Sequence, residues 1–381
     1  MEISEGFRMN LVFISNYFSH HQQPLADALS QKTDFTFLAT ETITKERQEM
    51  GWEAVKPPYL CEMELEPERA KLLLSKADVV ILGNAPEWLI KKCVKEKPLI
   101  LRYSERPLKK GLEMKKFLPR LIKWQLLYPP KKPVYLLSAG AYVAKDYASF
   151  GLFSEKAYRF GYFPPLRNIS DFETFSRKKQ PSSILWVGRF LSWKHPDAAI
   201  RAAARLKKEG ISFTLDFIGS GEMEATLLQM VHTFGLEDRV HLLGTTSPEM
   251  VRKKMEESEI FLFTSDRNEG WGAVLNEAMN AGCGVIANSS AGATPYLICD
   301  GFNGYCYSDQ EEEQLYQRLK SLLLDRESCK RLGKNAYETI QNQWNAGVAA
   351  SRLLELIDTL LAGEKRFERY TEGPCSIHRP L

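Results

Sequence analysis

The strongest constraint on the fold is a strand–turn–helix–strand unit between residues 260 and 287. The apolar run Ile260–Thr264 predicts one short buried strand, and Gly284–Ala287 predicts the next. Between them, Asn268–Met279 holds a Gly-x-Gly turn followed by a helical pattern. Ligands of parallel sheets bind where strands end and helices begin, and a helix N-terminus favours phosphate. The turn is therefore a candidate phosphate-binding site.

Two carboxylates, Glu269 and Glu277, flank this turn. A carboxylate close to a bound phosphate repels it unless the ligand also offers hydroxyl groups that the carboxylate can accept from. The combination therefore predicts a ligand in which a sugar is attached to phosphate.

Strand-like runs alternate with helical patterns in both halves of the chain, which predicts parallel sheets. We expect an α/β protein with two doubly wound, Rossmann-like domains facing a central cleft. A Ser-, Lys- and Arg-containing stretch separates the two sets of elements. The predicted parts are an N-terminal domain (1–165), a linker (166–181), a C-terminal domain (182–345), a C-terminal helix packing back towards the first domain (346–362) and a frayed tail (363–381).

The composition is that of a globular protein with reduced thiols. The 381 residues suffice for two ordinary domains, and 44% are hydrophobic against 26% charged. No apolar run approaches the roughly 18 residues of a membrane span. The seven cysteines form no Cys-x-x-Cys pair, which argues against a zinc site or a disulfide framework. We expect a cytoplasmic protein.

Further candidates follow other predicted strands of the second half. Gly188, Arg189 and Lys194 come after Ile184–Val187, where an arginine and a lysine could clamp a diphosphate. The alternative is a pair of solvated loop cations. Gly219 and Gly221 form a turn that lacks the third glycine of the dinucleotide fingerprint. We interpret it as a tight strand-to-helix turn that approaches the ligand.

In the first half, His20, His21 and Gln22 follow the first strand, and Glu105 follows Leu99–Tyr103. These side chains are candidates for binding an acceptor. The alternatives are ordinary loop solvation for the histidines and a surface pair of Glu105 with its neighbouring arginine. No Asp, Glu or Cys stands at ligand spacing near the histidines, so we predict no metal there.

The segment 106–132 is strongly basic. It holds nine Lys or Arg residues and one acid, interleaved with leucines and aromatic residues. A basic amphipathic helix of this kind is typical of an anionic membrane surface, here the inner face of the plasma membrane. An ordinary core-facing helix with a solvated basic side has the same pattern. Nucleic-acid binding is a third reading, which the net charge of +3 disfavours.

Five motifs in order resemble the retaining, GT-B-fold glycosyltransferases of family four, often called glycosyl transferases group 1. The motifs are Val187-Gly188-Arg189 with Lys194, Phe217–Gly221, Val240–Gly244, Glu269–Gly272 with Glu277-Ala278-Met279, and Asp300–Gly304. The N-terminal run Ile14–Gln22 is similar to bacterial members of surface-polysaccharide synthesis. The resemblance implies that the first domain binds the acceptor, with Asn16 among the binding residues, and that the second domain binds the nucleotide sugar. The chain departs from the family at Ser104-Glu105, where several members carry a histidine.

The resemblance implies a role for each matching residue. Arg189 and Lys194 would stabilise the leaving diphosphate, Glu269 would bind the sugar hydroxyls, and Glu277 would bind the ribose. Gly244 would lie beside the base. The remaining donor-binding positions would be at the turn and helix start: Gly270, Trp271, Gly272, Ala273, Val274 and Leu275.

The implied activity is transfer of a sugar from a nucleotide-sugar donor to a glycan or lipid-linked acceptor, with retention of configuration. No cofactor or metal is implied, because cationic side chains take the place of a metal ion. Two alternatives stay open: a nucleotide-sugar epimerase on the same fold, and a non-catalytic scaffold that binds a nucleotide sugar.

Overall fold

The computed structural model describes residues 9–43, 56–309 and 311–379. The ends of the predicted first domain and tail, at residues 1–8 and 380–381, lie outside these ranges. The chain divides into two compact units, 1–164 with 346–381 and 165–345. Within the described ranges, no helix is both long enough and apolar enough to cross a bilayer.

The first unit is a parallel sheet of seven described strands in the order β3-β2-β1-β4-β5-β6-β7. Its strands are β1 (Asn10–Ser15), β2 (Asp34–Ala39), β3 (Leu60–Glu62), β4 (Val79–Leu82), β5 (Leu99–Ser104), β6 (Val134–Ala139) and β7 (Ala157–Phe160). Its helices before residue 165 are α1 (Gln23–Ser30), α2 (Pro67–Lys76), α3 (Glu87–Glu96), α4 (Met114–Leu127) and α5 (Val143–Ala148). Central strands such as β4 are buried at every residue, as expected when helices cover both faces.

The second unit holds a parallel sheet of six described strands in the order β10-β9-β8-β11-β12-β13. Its strands are β8 (Gln180–Val187), β9 (Thr214–Ile218), β10 (Val240–Leu242), β11 (Ser258–Phe263), β12 (Gly284–Asn288) and β13 (Tyr305–Tyr307). Its helices are α6 (Phe172–Ser176), α7 (Pro196–Lys208), α8 (Glu224–Thr233), α9 (Pro248–Glu257), α10 (Ala273–Asn280), α11 (Thr294–Leu297), α12 (Glu312–Leu324) and α13 (Arg326–Asn342). The two predicted parallel sheets are thus confirmed.

Both sheets reverse their strand order at one point. In the first unit the order reverses between β1 and β4, and in the second between β8 and β11. The crevice outside the carboxyl ends of such a strand pair is where open α/β sheets bind ligands. The two switch points therefore locate the candidate sites.

The segment 166–181, predicted to be a linker, is part of the second unit. It contains α6 and the start of β8. Lys179 is buried, and its ammonium donates to four backbone carbonyls, including that of Ser258 at 2.8 Å and that of Ala281 at 2.9 Å. The polar composition that suggested a linker instead supplies hydrogen bonds that attach the segment to the unit.

The end of the chain returns to the first unit. Helix α14 (Ala346–Leu361) buries an apolar face and contacts α1. The tail after it, predicted to be frayed, is packed: Ile377 forms an antiparallel bridge with Tyr158, and Cys375 and His378 are buried. The prediction of a frayed tail was wrong, because these contacts join residues too far apart in sequence to leave a local periodicity.

Candidate active site

The switch point of the second sheet is built from the two loops that follow β8 and β11. The hydroxyl of Thr264 donates to the carbonyl of Lys194 at 2.6 Å, and the amide of Asp266 donates to the carbonyl of Trp193 at 2.9 Å. The Trp186 indole N–H donates to the Thr264 hydroxyl at 2.8 Å and so helps to hold this hydroxyl in place. The two loops are therefore held together by hydrogen bonds at the carboxyl ends of adjacent strands.

These loops bring two of the predicted catalytic residues into contact. The ammonium of Lys194 lies 2.6 Å from a carboxylate oxygen of Glu269, and the two side chains are only 13% and 14% exposed. The Lys194 ammonium also lies 4.7 Å from the centre of the Trp193 ring. The third residue, Arg189, is exposed, and its guanidinium has no hydrogen-bond or ion-pair partner within the described ranges. It remains available to a ligand.

The predicted glycines of this loop cluster pack backbone against backbone. The Gly219 amide donates to the carbonyl of Gly244 at 2.8 Å. A Cβ on Gly219 would lie 1.9 Å from the Gly188 carbonyl oxygen, and one on Gly221 would lie 2.6 Å from the Phe190 carbonyl oxygen. No larger residue fits at these positions. This close packing accounts for Gly219 and Gly221 without a ligand contact.

The start of α10 is the predicted phosphate-binding site. Gly272 caps the helix in the left-handed region with φ 96°, and a Cβ there would lie 2.2 Å from the Phe263 ring. The amides of Ala273 and Val274 belong to the first turn, where helix donors lack internal partners. The amide of Leu275 instead donates to the Gly272 carbonyl at 3.0 Å. Leu275 is therefore not a free phosphate donor, contrary to the prediction.

Trp271 serves the core of the second unit. Its side chain is buried, its indole donates to the Asn276 side chain at 2.8 Å, and its ring lies about 6 Å from those of Tyr296 and Trp344. At this predicted donor-binding position, a donor could contact only the backbone. The preceding Gly270 is likewise buried.

Glu277 is a half-buried carboxylate on α10. Burial raises its pKa to about 6, although the charges of Arg252 and Arg167 act in the opposite direction. Its carboxylate makes no hydrogen bond or ion pair with any residue of the described ranges. Such a group is well suited to accept hydrogen bonds from ligand hydroxyls.

The predicted acceptor residues gather at the switch point of the first sheet. Asn16, Gln22 and Glu105 line a cavity of about 540 Å³. The His21 ring lies 6.0 Å from that of Tyr162, which also lines the cavity. Burial and the neighbouring His20, whose ring is 3.9 Å away, lower the pKa of His21 to about 4.

Two polar residues at the switch points escaped the sequence analysis. His195 lies in the left-handed region with φ 48°, and its Nε2 is 3.2 Å from a carboxylate oxygen of Asp266. Arg102 lies in β5 and lines the cavity of the first unit. A charged residue in an otherwise apolar strand is the signal that could have identified Arg102, because arginine is rarely buried without a partner.

The basic segment 106–132 forms a helix only over α4. Arg106, at its start, is not available to an external surface, since it pairs with Asp146 at 3.2 Å and both side chains are largely buried. On α4, Leu118, Ile122 and Leu126 are exposed at 60%, 53% and 71%. Their spacing of four residues places them on one helix face.

Comparison with known proteins finds a family match in the second unit. Residues 169–339 match the family model described as glycosyl transferases group 1. The match spans most of the second unit, which is thus similar to this family.

Curated relatives match about half of this chain. The amylovoran biosynthesis glycosyltransferase AmsK of Erwinia amylovora is 29% identical over 186 residues, which are 48% of this chain and 46% of AmsK. The N-acetylgalactosamine-N,N'-diacetylbacillosaminyl-diphospho-undecaprenol 4-alpha-N-acetylgalactosaminyltransferase of Campylobacter jejuni is 30% identical over 180 residues, 46% of this chain and 47% of that enzyme. The chain thus spans about half the length of the curated relatives it matches.

Solved structures are similar in fold to nearly the whole chain. Anabaena HepE in complex with UDP is 16% identical with a TM-score of 0.66, and the match covers 92% of this chain and all of HepE. WaaG, a glycosyltransferase involved in lipopolysaccharide biosynthesis, is 17% identical with a TM-score of 0.60 over 93% of this chain and all of WaaG. The predicted GT-B class with two Rossmann-like domains is confirmed.

Proposed function

We propose that this chain is a retaining, metal-independent glycosyltransferase of surface-polysaccharide synthesis. It would move a sugar from a nucleoside-diphosphate sugar to a glycan or lipid-linked acceptor. The observation that carries the proposal is the Lys194–Glu269 ion pair, placed between a strand-switch point and the amides that open α10. One site then offers a cation and helix amides to a diphosphate, and a carboxylate to sugar hydroxyls.

In the proposed reaction the diphosphate displaces Glu269 as the partner of Lys194. Lys194 and Arg189 would neutralise the charge that develops on the diphosphate as its bond to the anomeric carbon breaks. Glu269 would then accept hydrogen bonds from the sugar, and Glu277 from the ribose. The acceptor hydroxyl would bond to the anomeric carbon on the face that the diphosphate leaves, and its proton would pass to the departing phosphate oxygen.

The relatives support the substrate classes of this proposal. HepE was solved with UDP and, in another crystal, with UDP-glucose, which favours a nucleotide-sugar donor. AmsK is named for polysaccharide biosynthesis, and the Campylobacter enzyme for a diphospho-undecaprenol acceptor. A lipid-linked acceptor is therefore the first to test.

Donor turnover by Lys194→Ala and Glu269→Ala tests the reaction. We expect each to lower kcat at least about 100-fold, as removal of a transition-state stabiliser does. Lys207→Ala and Asp238→Ala are matched controls, because they break an exposed Lys–Asp pair of the same unit (3.1 Å). Near wild-type turnover by both site variants would refute the proposal.

Three further measurements separate the alternatives. Chelation with EDTA should leave turnover unchanged if no metal takes part. Epimerised sugar nucleotide formed without acceptor would indicate an epimerase. Binding of the donor without any turnover would indicate a scaffold.

We further propose that α4 contacts the cytoplasmic face of an anionic membrane. The exposed stripe of Leu118, Ile122 and Leu126 would enter the interface, and Lys115 and Lys116 on the same helix are exposed and would attract anionic headgroups. In liposome flotation, the triple change of the stripe to serine should abolish recovery with anionic vesicles. Leu72→Ser, at an exposed leucine of α2, is the control. If the unmodified protein is recovered equally in the soluble fraction with neutral and with anionic vesicles, this proposal is refuted.

A further inference from the structure

The cavity of the first unit occupies the position where a parallel sheet binds ligands. It lies at the carboxyl ends of β1, β4 and β5, next to the switch point, and its volume of about 540 Å³ is typical of a small-molecule site. Trp124 and Leu127 of α4 close one side. The cavity is thus a formed pocket within one unit.

Arg102 extends into this cavity without a counter-charge. Its Nη1 donates to the carbonyls of Leu82, at 2.9 Å, and Gly83. Its Nε has no solvent-accessible surface and no hydrogen-bond partner. No carboxylate within the described ranges reaches ion-pair distance from its guanidinium. Buried charges are normally paired, because an unpaired one has lost its hydration without compensation.

The acids in the cavity wall are already neutralised by other groups. Glu87 pairs with Lys123 at 2.5 Å and with Lys91 at 2.8 Å. Glu105 lies 3.4 Å from the Lys109 ammonium and accepts a hydrogen bond from the Tyr162 hydroxyl at 2.9 Å. No acid of the cavity wall is therefore left over to pair with Arg102.

The neighbouring tyrosines add neutral hydrogen-bonding groups. Burial raises the pKa of Tyr103, Tyr128 and Tyr162, so their hydroxyls stay protonated at neutral pH. An oxyanion beside Arg102 would thus meet a fixed cation and no competing negative charge from a phenolate.

We propose that this cavity binds an oxyanion of the acceptor, either phosphoryl or carboxylate, with Arg102 as its anchor. Describing the occupant as the acceptor rests on the proposed function, whereas oxyanion binding does not. The planar guanidinium suits both anions, since it donates two parallel hydrogen bonds to either.

Hydrogen–deuterium exchange of the full chain tests the proposal at the level of segments. Inorganic pyrophosphate, glucuronate and farnesyl diphosphate are the anionic probes, and glucose is the uncharged control. We expect at least one anionic probe to protect residues 82–85 and 102–105, and glucose not to. Stronger protection by farnesyl diphosphate would assign a lipid diphosphate, and stronger protection by glucuronate an acidic sugar.

Arg102→Met should lower the apparent affinity of the protecting anion by roughly tenfold or more, as loss of a charge-assisted contact does. Arg102→Lys keeps the charge and should retain part of the affinity. Arg69→Met, at an exposed arginine of the same unit, should change nothing. The fold of Arg102→Met is checked by unfolding, because the variant also loses the hydrogen bonds from Nη1 to the Leu82 and Gly83 carbonyls.

The proposal is overturned if no anionic probe protects 82–85 and 102–105, or if Arg102→Met binds the probe as well as the unmodified protein. Protection of 188–194 and 269–275 by UDP reports separately on the donor site. Failure of one proposal is therefore visible without failure of the other.

Discussion

Arg102 lines the cavity beside the switch point of the first sheet and has no carboxylate partner within the described ranges, whereas Lys194, in the loop after β8 at the second switch point, is paired with Glu269 at 2.6 Å. Both sheets are wound in the same way, so strand order alone does not decide the chemistry. The difference lies in the loops: the second unit brings a lysine and a glutamate together from 75 positions apart. A paired cation can exchange its partner for a ligand at modest cost, whereas an unpaired one favours any anion that reaches it.

The close backbone packing at the second switch point should show the largest effect on stability. Gly219→Ala places a Cβ 1.9 Å from the Gly188 carbonyl at φ 145°, so strain and overlap add. We expect it to lower the free energy of unfolding by about 3–5 kcal/mol. Gly210→Ala, with φ 72° and no atom within 4 Å of the added carbon, should cost only about 1–2 kcal/mol. Equal urea midpoints for the two variants would show that the loops are looser than this packing indicates.

The next effect concerns acid stability, which should be lost first in the first unit. His378 is buried and its Nε2 donates to the Ala141 carbonyl at 2.9 Å; burial lowers its pKa to about 4. The unfolded imidazole binds a proton near pH 6.5. Stability is therefore complete above that pH, falls as pH decreases towards 4, and is lower by about 3 kcal/mol below it.

Thermal unfolding from pH 7.5 to 4.5 measures this loss. His378→Gln keeps a donor and removes the titration, so the variant should lose less stability on acidification. Part of the pH dependence of stability should remain in this variant, because the pKa of His21 is lowered in the same direction. His232→Gln, at an exposed histidine of the second unit, is the control. An unchanged pH slope in His378→Gln would rule out this explanation.

How much of this was predictable from sequence differs between the two units. Lys194 and Glu269 could be predicted as candidate site residues because each lies in a loop that follows a strand and belongs to a motif of local spacing. The packed tail was not predictable, because its contacts join residues distant in sequence, such as Tyr158 with Ile377. Arg102 had a local signal, a charge in an otherwise apolar strand, but its lack of a carboxylate partner within the described ranges depends on the fold. For Trp271, a motif shows which residues recur together, whereas the burial of its side chain depends on packing with Tyr296 and Trp344.

The smallest predicted effect belongs to the second unit, where stability changes with pH in the opposite direction to that expected from His378. The folded pKa of Glu277, about 6, lies above its usual value of about 4.5, chiefly because of burial. Its stabilising contribution is therefore complete below pH 4.5 and is lost as pH rises through 6. Glu277→Gln should stabilise the ligand-free protein at pH 7.5 by about 1–2 kcal/mol and reduce the change of stability with pH between pH 4.5 and 6.

The same variant should bind UDP more weakly, because a carboxylate kept at a cost to stability is expected to serve a ligand. Thermal unfolding with and without UDP measures both effects, and a Glu277→Gln protein that is less stable at pH 7.5 yet binds UDP normally would contradict both parts.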